Sequence, residues 1–142
     1  MNNIIKILIK EAKKSLKSND VPVAAVIVEN NKIISKAHNC REKYQSIIKH
    51  AEIISLEKAC KKKKSWHLDN CEIYITMEPC LMCMNAISQA RIKKINYILE
   101  NKKYVEIQSK MNNKIIKNKL DISNKEVDEL LKNFFKDKRN KQ

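Results

Sequence analysis

The segment MEPCLMC, residues 77 to 83, restricts what this chain can fold into more than any other. It sets Cys80 and Cys83 three residues apart, directly after an apolar run and a proline. Pro79 ends a strand and suits the first turn of a helix. Both thiols then lie at a helix N-terminus, whose partial positive charge favours thiolates. A Cys-x-x-Cys pair of this kind is a metal clip or a redox couple. As a zinc site it needs further ligands, because zinc takes four. The histidines are His38, His50 and His67. His50 opens a helical stretch, HAEIISLEKAC, and two helix starts meeting across a sheet would join His50, Cys80 and Cys83. His38 falls at a strand end, and His67 and Cys71 fall on the far side of the third strand from Cys80. Three ligands leave one position for water, which zinc activates near neutral pH. Glu52, two residues after His50, is then the proton carrier. A closed structural site would not require it.

The rest of the chain supplies the frame. Residues 3 to 17 repeat Ile5, Leu8, Ala12 and Leu16 at helical spacing. VPVAAVIV (21 to 28) is a buried strand, ENNK (29 to 32) a turn and KIISK a second strand, which together make a hairpin. Residues 38 to 49 read as loop. CEIYITM (71 to 77) and KINYIL (94 to 99) are further strands, and CLMCMNAISQA (80 to 90) is a helix. Residues 103 to 122 hold a short strand and loop. Residues 123 to 139 form a terminal helix with the stripe Val127, Leu130, Leu131 and Phe134, and Ser123 with Glu126 suits a capping box. KKKKS (61 to 65) is either a solvated helix end, favourable to the dipole, or a phosphate contact. Strands alternating with helices predict one α/β domain over residues 1 to 142, with helices on both faces of a single sheet.

Composition narrows the function. The net charge is +14, from 30 Lys and Arg against 16 Asp and Glu. That field suits a polyanionic partner. A bias towards AT-rich codons, visible in 27 Lys, 21 Ile and 16 Asn, produces the same charge without one. Five cysteines at irregular spacing are no disulfide framework, so a reducing compartment, the cytoplasm, is expected. No apolar run spans a membrane, and Lys6 and Lys10 interrupt the first helix too early for a signal peptide. Glycine is absent. Every backbone position of positive φ must use another residue, with Asn the leading candidate. Extreme codon bias and engineering both account for its absence.

HAE followed by PCLMC is the signature of zinc-dependent nucleobase deaminases. Over most of its length the chain resembles the bacterial tRNA-specific adenosine deaminases of the cytidine-deaminase-like superfamily. VPVAAVIV resembles their VPVGAV strand, AHN (37 to 39) the end of their G-x-N segment, and AISQARI (86 to 92) the stretch after the zinc motifs. NFFKDKR (133 to 139) resembles their terminal aromatic and basic helix. The resemblance implies a three-layer α/β/α sandwich around a mixed five-stranded sheet, one Zn2+ per subunit, and a homodimer. It implies hydrolysis of the wobble adenosine of a tRNA anticodon loop to inosine. Glu52 would move the proton to N1, Asn39 would bond the target nucleotide, and the Ala51 N–H would face the base edge. Asn39 as a plain turn residue is the competing reading. Lys132, Lys136, Lys138 and Arg139 would contact phosphates, with Phe134 buried and Phe135 a candidate for stacking.

The chain also departs from that pattern. Ala24, Ala37, Asn85 and the pair Ile98 and Leu99 replace family glycines or small residues and could narrow the pocket. Asn101 stands where the family has Asp, which implies a weaker preference for RNA over DNA. Two rivals remain open: a free-base or nucleoside deaminase for cytosine or guanine, and a noncatalytic zinc-stabilised RNA-binding domain.

Overall fold

The computed structural model describes residues 2–101, 115–120 and 125–140. Its frame is β1 (Ala24–Glu29), which is apolar at nearly every position because both of its faces are covered. Ala25 and Ile27 point to one side and Ala24, Val26 and Val28 to the other, each set buried in its own core cluster. β2 (Lys32–His38) pairs antiparallel with β1 on one side, and β3 (Cys71–Met77) pairs antiparallel on the other. β4 (Lys94–Leu99) lies parallel to β3, and β5 (Ile116–Lys119) parallel to β4. The order is β2-β1-β3-β4-β5, a mixed five-stranded sheet.

Helices cover both faces. α1 (Asn2–Lys14) packs Ile5, Leu8, Ile9 and Ala12 on one face, beside Val127 and Leu131 of the terminal helix, called α5 here (Lys125–Asn140). On the other face α3 (Ala51–Lys63) contributes Leu56 and Ala59, and α4 (Leu81–Gln89) contributes Met84 and Ile87. α2 (Arg41–Tyr44) is a single turn. The three-layer expectation is met. Phe134 is buried and Leu130 half-buried, as the terminal stripe requires. The Phe135, Lys138 and Arg139 side chains and the Ser123 capping box lie outside the described residues.

Two expectations fail for local reasons. Leu16 is 40% exposed, because α1 gives way at Ser15 to a tighter 3-10 turn that changes the periodicity. Ser15 is buried instead and donates to the Asn39 carbonyl. The first strand starts at Ala24 and not at Val21, since Pro22 has no N–H to give a ladder and Val23 bonds back to the Val21 carbonyl.

The missing glycines leave a clear trace. Six residues among those described have positive φ: Asn19, Asn30, Asn31, Gln45, Lys64 and Arg91. Asn30 and Asn31 form the expected hairpin turn, but three of the six positions are not Asn. Gln45 and Lys64 close α2 and α3 in the left-handed conformation, where a Cβ is unfavourable by about 1–2 kcal/mol. Lys64→Gly removes that strain, at some cost in unfolded-state entropy. The expected result is a gain near 1 kcal/mol, or about 2–4 °C in thermal midpoint. Calorimetry checks it, and an unchanged or lower midpoint refutes it.

Candidate active site

His50 and Cys80 occupy equivalent places, each the N-cap of its helix, with extended backbone (φ −73°, ψ 154° and φ −71°, ψ 173°). Neither side chain caps its own helix. The residues favoured there, Ser, Thr, Asp and Asn, stabilise a helix by about 1 kcal/mol, so both helices forgo this at the same point. The two side chains turn towards each other. Cys80 Sγ lies 3.7 Å and Cys83 Sγ 3.5 Å from His50 Nδ1. The three donor atoms fall within 4.8 Å of one another, and among the described residues this is the one such cluster. His38 instead meets Glu11 at 3.3 Å and His67 meets Asp69 at 3.9 Å, so neither histidine joins it.

The spacing suits a metal. A tetrahedral zinc with Zn–S about 2.3 Å and Zn–N about 2.1 Å separates sulfur from nitrogen by about 3.6 Å. The two observed separations bracket that value. Without a cation the three groups share protons. The bond from the Cys83 thiol holds Cys80 down to about 4, while the same contact and burial push Cys83 well above the usual thiol range. The bond to Cys80 raises His50. One imidazole and two sulfurs, one of them on a fully buried cysteine, make a donor set that zinc satisfies.

Glu52 sits in the first turn of α3 and is 4% exposed. Burial pushes its carboxyl above the usual carboxylate range. It lines a cleft of about 500 Å3 together with His50, Ala51, Cys80, Asn39, Asn101 and Glu78. Every residue assigned to the site from sequence therefore borders this cleft except Cys83, which is buried behind Cys80. Ala51 is the first residue of α3, where a backbone N–H lacks an intrahelical acceptor. Asn39 is 8% exposed, donates to the Val21 carbonyl at 3.2 Å and accepts the Arg41 N–H at 3.2 Å. The turn reading of Asn39 thus has support, yet an amide has a second N–H and a further lone pair for a ligand.

Two buried acids were not singled out from sequence. Asp20 is 1% exposed and accepts the Glu42 and Lys43 N–H groups, capping α2 from a distant segment. Glu78 is 4% exposed and accepts from Lys117 at 2.8 Å and from the Asn101 N–H at 3.2 Å. Glu78 stood inside the MEPC segment and was legible only as a neighbour of Pro79.

The residues that replace family glycines do not fill the cleft. Ala24 and Ile98 are buried in the core beneath α1 and α5, with Leu99 packed against it. Ala37 is buried at the β1 pairing, and Asn85 is exposed on α4. None of the five borders the cleft.

A mixed sheet between helical layers, with an imidazole, two thiols and a buried carboxylate at two adjoining helix starts, defines a deaminase of the cytidine-deaminase-like fold. Comparison with known proteins agrees. The family model described as MafB19-like deaminase matches residues 1–139. The tRNA-specific adenosine deaminase of Aquifex aeolicus is 35% identical, over 96% of this chain and 94% of that protein. The chain belongs to the MafB19-like deaminases and to the family of the tRNA-specific adenosine deaminases. A structure from studies of A-to-I editing by tRNA:A34 deaminases superposes with a TM-score of 0.82, at 26% identity, covering 92% of this chain and 100% of that one. A guanine deaminase from Bacillus subtilis superposes with a TM-score of 0.67, at 27% identity, covering 98% and 93%.

Proposed function

We propose that the protein hydrolyses the wobble adenosine of a tRNA anticodon loop to inosine, using His50, Cys80 and Cys83 to hold one zinc per chain. The observation that carries this is Glu52: a buried carboxylate in the cleft, two residues from His50 and outside the donor cluster. Zinc bound there supplies a water that is deprotonated near neutral pH. Glu52 takes up a proton on the cleft side and passes it to N1 of the base. The C6–O bond forms with this transfer; the same carboxylate then takes the remaining O–H proton of the attacking water and gives it to the leaving amine as the C6–N bond breaks, and ammonia departs. The Ala51 N–H faces the base edge and the Asn39 amide orients the nucleotide. An anticodon loop is single-stranded, so the base enters the cleft without opening a helix.

The net charge of +14 supports a polyanionic substrate, with exposed Lys132 and Lys136 on α5 among the cations available for phosphates. The exposed apolar side chains of Tyr44, Ile47 and Ile48, in the segment leading to His50, support a homodimer. We infer a single domain over 1 to 142 and a cytoplasmic site of action. No helix among the described residues is long and apolar enough to cross a membrane.

The test is incubation of zinc-loaded protein with an anticodon stem-loop carrying adenosine at the wobble position. Inosine is expected. Turnover of free guanine or cytosine instead would replace this substrate, and no turnover of any of them by zinc-loaded protein would favour the binding domain. Asn101 borders the cleft and brings no charge there, where an aspartate would bring a carboxylate that repels phosphates. A matched DNA loop is therefore expected to be deaminated more slowly than RNA but measurably, and a complete lack of DNA turnover would refute that expectation.

A further inference from the structure

We propose that Glu78 is a positioning residue, which clamps Asn101 and with it the wall of the cleft against which the substrate nucleotide packs; this rests on the deaminase reading above.

Glu78 stands where three elements meet. It follows β3 and precedes Cys80 by two residues, its N–H bonds the Leu99 carbonyl at 2.7 Å, and its carboxylate reaches both Asn101 and Lys117. The backbone bond and the Asn101 bond together tie the end of β4 to the start of α4. Both residues border the cleft. A carboxylate suits this place and an amide does not. Two donors converge on it, the Asn101 N–H on one oxygen and the Lys117 ammonium on the other, and an amide offers one oxygen only. Lys117, whose side chain is 31% exposed, balances a carboxylate that is 4% exposed.

The delivery of Lys117 is itself specified. β5 is four residues long and exposed at each, so its own side chains bury no apolar surface; Ile115 before it and Leu120 after it pack into the two core clusters and help set its register. An amide pair, one member buried and the other exposed, reinforces it. Asn118 donates to Asn96 at 3.0 Å, the two are register partners, and Asn96 is 2% exposed. A slip of one residue would turn Lys117 to the opposite face of the sheet and leave the Asn96 amide oxygen unmatched. The buried Asn96 amide, its partner on the edge strand and the packed Leu120 thus place one cation beside Glu78. The clamp touches no reacting atom, so its effect falls on substrate fit.

The decisive experiment uses Glu78→Gln, which keeps the shape and loses one acceptor. Its KM for the stem-loop is expected to rise about tenfold, with kcat nearly unchanged. Amide exchange at Asn101, followed by NMR, is expected to quicken by a similar factor. Zinc content should stay at one per chain. Lys117→Met should move both quantities in the same direction by less, and it decides the matter if Glu78→Gln does not fold. Unchanged KM and unchanged Asn101 exchange would overturn the clamp, as would a fall in kcat at constant KM. If the wild-type protein makes no inosine, the substrate reading fails by itself, and Asn101 exchange then decides whether Glu78 holds that wall.

Discussion

Replacing Glu52 by glutamine is expected to lower inosine formation by about a thousandfold, with zinc content, fold and RNA affinity unchanged. General acid–base catalysis contributes about 10²–10⁴ to a rate. Glu52 lies outside the donor cluster, beside Cys83, and is shielded from solvent. Glutamine fills the same volume and cannot carry the proton. Stability should hold, because burial already disfavours the charged carboxylate at this place. The measurement is single-turnover deamination of the stem-loop, alongside zinc analysis and a binding isotherm. Turnover within tenfold of wild type would remove Glu52 from the reaction. A loss of RNA binding equal to the loss of rate would instead make Glu52 a binding group.

The parts of this molecule that could be read from the sequence are those governed by local pattern. β1 is apolar up to its last residue, Glu29, because both its faces are buried, and this is visible as VPVAAVIV. The site chemistry was visible because His50 and Cys80 hold equivalent helix starts, and the spacing of Cys80 and Cys83 fixes their common direction. What stayed hidden depends on contacts between distant segments. α2 is a four-residue polar turn capped by Asp20 across more than twenty residues, and no periodicity announces it. The partners of Glu78 come from after β4 and from β5, so nothing near MEPC reveals them. The absence of glycine places a demand on other residues, and Asn30 and Asn31 answer it at the hairpin. At the helix ends the demand falls on whichever polar residue stands there, Gln45, Lys64 or Arg91, since the helix end fixes the conformation and the side chain remains in solvent.

Removal of the metal is expected to have the other large effect, on stability as well as on activity. His50 and Cys80 stand at the starts of different helices, and Cys83 is fully buried. A metal there joins α3 to α4 at their starts, and without it the donors are left to share protons among themselves. Metal that binds only the folded chain adds about 4 kcal/mol at a thousandfold excess over its dissociation constant. For a chain of this size each kcal/mol corresponds to about 2–4 °C, so stripping the metal should lower the thermal midpoint by roughly 10 °C. Activity should vanish with it and return on adding zinc. Cys83→Ser should reproduce the drop and resist rescue by zinc, while Cys60→Ser, at a half-exposed cysteine outside the cluster, should do neither. Calorimetry with and without chelator, with zinc counted per chain, measures all of this. A midpoint indifferent to zinc would show that the two helix starts are held by the sheet alone, and full activity in the stripped protein would sink the metal site.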